Sequence, residues 1–62
     1  MNITLIQNQT EIGNIELKAL PNKGDKIVFN DNEYTVKNIT HAVDYILVFV
    51  SPPKKYEMYW NV

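Results

Sequence analysis

His41 and Asp44 lie three positions apart and could pair across a turn, an imidazole beside a carboxylate. That is half of a general acid–base set. The other half is hard to supply. Ser51 is the sole serine and is followed by Pro52 and Pro53, so no serine–histidine–acid arrangement can be argued around it. The chain has no cysteine, which removes thiolate nucleophiles, disulfides and thiolate metal ligands. One histidine does not make a zinc site, and the seven acids are scattered singly. A lone histidine on an apolar strand is ordinarily a packed or surface imidazole. A small ligand needs a pocket of roughly 300 Å³, for which a chain of 62 residues leaves little room. The reading is therefore no enzyme, no catalytic residue, no metal and no cofactor.

The aromatic residues carry more signal. Tyr34, Tyr45, Tyr56, Tyr59 and Trp60 join Phe29 and Phe49 in a very small chain. The core of so small a barrel cannot hold them all. Exposed Tyr and Trp beside polar rims dominate protein interfaces. We therefore expect a protein-binding face built from Tyr45, Tyr56, Tyr59 and Trp60. The competing structural reading lets Tyr56 and Trp60 cap an open barrel end. Lys54 and Lys55, beside these aromatics, suggest an alternative: a single-strand nucleic-acid binder. Paired lysines are also a common device for blocking sheet-to-sheet pairing at an edge.

Composition weighs against that alternative. Six lysines face seven acids, the formal charge is -1, and there is no arginine. Nucleic-acid binders favour a basic excess and arginine forks. Eight asparagines, seven isoleucines and no arginine point to an AT-rich coding sequence, as in many bacteria and their phages. The longest apolar run, "YILVFV", has six residues, against about 20 for a membrane-spanning helix. No targeting segment is visible, so we expect a soluble, cytoplasmic chain, or one acting in the cytoplasm of a host, with no membrane partner.

Alternation with period two organises the elements. Met1, Ile3 and Leu5 share one face, and "QNQT" reads as a turn. Ile15, Leu17 and Ala19 face inward along "NIELKAL", with a bulge at Gly13 to reconcile Ile12. Pro21 ends that strand, and Gly24 supplies a positive φ. Asp25 reads as an acceptor for the amides of its own turn. Ile27 and Phe29 share a face, "NDN" turns the chain, and a bend near Lys37–Asn38 brings Tyr34 and Val36 into phase with Ile39, His41 and Val43. "YILVFV", apolar on both faces, reads as a central strand. "SPPKK" breaks the pattern, and "YEMYWNV" alternates once more. There are no repeats and no linker, so residues 1–62 read as one domain. Such a short chain buries only about 60% of its unfolded surface.

"LPNKGDKIVF" followed by "EYTVKNITH" resembles the Pro-x-x-Gly-Asp … Tyr-x-Val pattern of small SH3-like β-barrel proteins, many of them bacterial or phage-encoded. Phage head-to-tail joining proteins carry a similar stretch. Pro21, Gly24, Asp25, Ile27, Tyr34, Val36 and Ile39 carry the match, which spans Leu20 to Val50. The acidic-aromatic start of proline-peptide binders is missing, as is the glycine–arginine signature of Sm-like RNA rings. The resemblance thus implies a fold: an all-β, SH3-like barrel of five or six short antiparallel strands. The function expected is a small protein-interaction module, phage- or mobile-element-encoded. It would bind another protein, or a second copy of the chain through an open edge strand.

Overall fold

The computed structural model describes residues 1–55, and the strand expected over residues 56–62 lies outside them. The described residues form six strands and no helix: β1 (Asn2–Gln7), β2 (Thr10–Glu16), β3 (Lys26–Phe29), β4 (Asn32–His41), β5 (Ile46–Val50) and β6 (Lys54–Lys55). The fold is all-β. One sheet runs in the order β2-β1-β5-β4-β3, with β6 added against β4, and it curls into a half-barrel. Among the described residues no helix is long and apolar enough to cross a membrane.

The sheet is mixed, which corrects the expectation of an antiparallel barrel. β1 and β5 run parallel, with Ile3 opposite Ile46 and Gln7 opposite Val50. The other pairings are antiparallel. Alternation reports which face a residue takes and is silent on the direction of the neighbouring strand. The chain from Gln7 to Ile46 is amply long for the crossover that a parallel pair requires.

Two hairpins are set by residues with positive φ. Asn8 and Gln9 (φ 53° and 64°) join β1 to β2, and Asn30 and Asp31 (54° and 63°) join β3 to β4. Positive φ at both central residues is the type I′ geometry that matches strand twist. Both turns fall where the sequence places them. Gly24 has φ 96°, in a turn closed by Asp25 N–H donating to the Asn22 carbonyl at 3.0 Å. The Asp25 carboxylate accepts from Asn22 N–H at 2.8 Å, the tie expected of it.

Two bulges bring the apolar residues into phase. In β2, Gly13 pairs with Leu5 and Glu11 with Ile6, so Ile12 is the extra residue. In β4, Val36 pairs with Val50 and Asn38 with Phe49, so Lys37 is the extra residue. The glycine beside the β2 bulge has a different cause from the one expected. Gly13 is not among the residues with positive φ. It is glycine because the Phe29 ring lies on it: a Cβ there would overlap Cζ and come within 2.9 Å of Cε2. β2 and β3 are the two ends of the strand order, so this contact draws the lips of the half-barrel together.

The core is Ile3, Leu5, Ile27, Tyr34, Val36, Val48 and Val50, with Ile12, Ile15, Leu17, Leu20, Phe29, Ile39 and Ile46 packed around it. β5 is central, between β1 and β4, as its apolar run suggests. Four positions depart from the expected inward face, one of them His41, which is exposed at the end of β4. β2 stops at Glu16, and Ala19 is exposed in the bend that follows. Met1 is largely exposed beyond the start of β1, and Val43 is 98% exposed at the β4–β5 turn. Met1, Ala19 and Val43 lie outside the strands and His41 is the last residue of β4, so in each case the alternation runs to or past the end of its strand.

Candidate protein-interaction site

Of the four residues expected to form a binding face, the structure places Tyr45; Tyr56, Tyr59 and Trp60 lie outside the described residues. Tyr45 sits just before β5. Its carbonyl accepts from Ala42 N–H at 2.9 Å, which closes the β4–β5 turn and fixes its backbone. The side chain is 50% exposed. Val43 stands at the tip of the same turn.

Tyr45 is the ridge between two shallow depressions. One, of about 360 Å³, lies on the outer face of the sheet and is lined by Thr4, Ile6, Glu11, Asn14, Tyr45 and Leu47. The second, of about 300 Å³, lies at the end of the sheet, where His41, Val43, Asp44 and Tyr45 meet Met1 and Asn2. The outer face arises from strand alternation. Ile3 and Leu5 point inward on β1, so Thr4 and Ile6 point outward; Val48 points inward on β5, so Leu47 and Phe49 point outward. Leu47 and Phe49 are only half-buried. The both-faces apolar character of "YILVFV" carries this signal, because a central strand apolar on both faces sets part of its apolar surface on the outer one. A polar chain runs along one wall. The Thr4 hydroxyl donates to Asn14 Oδ1 at 2.7 Å, and Asn14 Nδ2 donates to Glu11 Oε2 at 3.1 Å.

The catalytic candidates do not come together. His41 and Asp44 share the end depression, but Ser51 lies far along the ladder. His41 pairs with Ile46, five residues before Ser51, which is about 16 Å at ~3.3 Å per residue. The Ser51 hydroxyl accepts from Thr35 N–H at 3.0 Å, so it bridges the ladder where Pro52 and Pro53 interrupt it. Among the described residues no three His, Asp or Glu side chains group as metal ligands.

Lys54 and Lys55 form the short edge strand β6, opposite Glu33 and Asn32. Adjacent strand residues point to opposite faces, so the two ammonium groups diverge. β6 pairs with the first residues of β4, whereas Tyr45 lies beyond its last residue, His41. The separation approaches 30 Å at ~3.3 Å per residue.

No protein-family model, curated protein or solved structure matches this chain.

Proposed function

We propose that the chain is a non-enzymatic protein-interaction module whose contact surface is centred on Tyr45. The observation that carries this reading is the position of Tyr45: backbone-anchored, half-exposed and shared by two depressions, beside Val43 and Met1. A fixed, amphipathic tyrosine loses little side-chain freedom on binding. The half-barrel is read as a variant SH3-like barrel. The Pro21–Val36 stretch supports this, and the parallel β1–β5 pair sets the variant apart. The arginine-free, asparagine-rich composition supports a bacterial or phage setting. The divergence of Lys54 and Lys55, and their distance from Tyr45, favour a protein partner over nucleic acid.

The test is capture of a partner from a bacterial lysate by wild type, Tyr45→Ala, Val43→Lys and the double variant Lys54→Ala/Lys55→Ala, with circular dichroism confirming each fold. We expect one captured protein to be lost with Tyr45→Ala and Val43→Lys and kept with the lysine variant. An anchor tyrosine is worth ~2 kcal/mol or more, about 30-fold in affinity. A captured protein indifferent to Tyr45 but dependent on the lysines overturns the reading.

A further inference from the structure

We propose that the outer-face depression binds a lysine or arginine side chain of the partner protein, a reading that rests on the interaction function above. Its lining has three parts suited to such a group. Ile6 and Leu47 offer aliphatic surface to the methylene stem. Tyr45 offers a ring to the charged head. Glu11 offers a carboxylate that the hydrogen-bond chain holds in place.

The direction of that chain is informative. Thr4 donates to Asn14, and Asn14 donates to Glu11. Both donors are thus turned along the wall toward the carboxylate, where the chain ends. A carboxylate accepts only, with about four lone-pair positions on its two oxygens. Among the described residues one of these is engaged by Asn14, and the others, on an exposed side chain, are open to a donor. Among the described residues the depression is lined by one acid and no lysine. Its neighbour contains Asp44 and no lysine, and the terminal ammonium of Met1 there is held by Glu16 at 2.9 Å. Charge and hydrogen-bonding capacity therefore both select a cation, and the aliphatic surface of Ile6 and Leu47 suits one carried on a hydrocarbon stem.

The test is a ¹H–¹⁵N titration of the full chain with the capped tripeptide acetyl-Leu-Arg-Leu-amide. Its twin carries citrulline, which matches arginine in shape but has no charge. We expect the arginine peptide to shift the amides of Thr4, Glu11, Asn14 and Tyr45 in a saturable, salt-sensitive way. The citrulline twin and Glu11→Gln should each weaken binding about two- to fivefold, the range of an exposed ion pair. Tyr45→Leu should weaken it by a similar factor, and Glu16→Gln should leave it unchanged. Equal binding of both peptides at these amides overturns the cation preference while leaving the Tyr45 surface standing. Shifts confined to other residues, or no shift at millimolar peptide, overturn the site itself. In either case the capture experiment judges the interaction reading separately.

Discussion

Gly13→Ala tests how the half-barrel is held closed. The new methyl would overlap Cζ of Phe29 and lie 2.9 Å and 3.2 Å from Cε2 and Cε1. Backbone strain is not at issue, because Gly13 does not have positive φ. The ring must therefore swing away and give up its place across the lips of the sheet. Overpacking of this kind costs about 1–3 kcal/mol. The loss of glycine's freedom in the unfolded chain offsets ~0.4–1 kcal/mol of that. The expected net loss is about 1–2 kcal/mol. A domain of this size is stable by roughly 3–9 kcal/mol, so the fraction is large. At ~4–8 °C per kcal/mol, Tm falls by about 5–15 °C. The decisive measurement is the double-mutant cycle with Phe29→Ala, followed by far-UV circular dichroism in urea. With the ring removed, Gly13→Ala should be neutral or stabilising, giving a coupling of at least ~1 kcal/mol. If Gly13→Ala costs as much without the ring as with it, the contact is not why glycine stands there.

Two further substitutions probe the turns. Gln9 has φ 64°, in the second central position of a type I′ turn that favours glycine; Gln9→Gly should raise stability by about 0.5–1 kcal/mol, seen as a higher urea midpoint at unchanged slope. Asp25→Ala removes the acceptor for Asn22 N–H and should cost about 1 kcal/mol, with hydrogen exchange accelerating first at the amides of Asn22, Gly24 and Asp25.

Several features of the fold were legible because they are local. The Asn and Asp residues of the two hairpins announce left-handed backbone angles. The phase slips at Ile12 and Lys37 each require an extra residue, and each is found. Tyr34, Val36 and Ile27 read as core and are core. What was not legible depends on distant chain. The alternation of β1 carries no mark of a parallel neighbour 43 positions on, where Ile3 meets Ile46. The need for glycine at position 13 is set by Phe29, at the end of the next strand in sequence. Val43 and Ala19 fit the alternation but lie in bends outside the ladders, where alternation no longer decides burial. The same limit applies to the site. Tyr45 was identifiable by type. Its companions Thr4, Glu11 and Asn14 gather only once β1 lies between β2 and β5.

The parallel pairing of β1 with β5 also dictates an order of events during synthesis. Ile3 and Leu5 are completely buried, and the strand that flanks them on one side ends at Val50. The N-terminal hairpin leaves the ribosome with its apolar side uncovered and must wait for the chain through Val50 before it can be seated. Contacts so far apart in sequence slow folding and prolong exposure of sticky surface. A nascent chain halted before Val50 leaves Ile3 and Leu5 without that neighbour, so quality-control proteases should clear prematurely terminated copies rapidly.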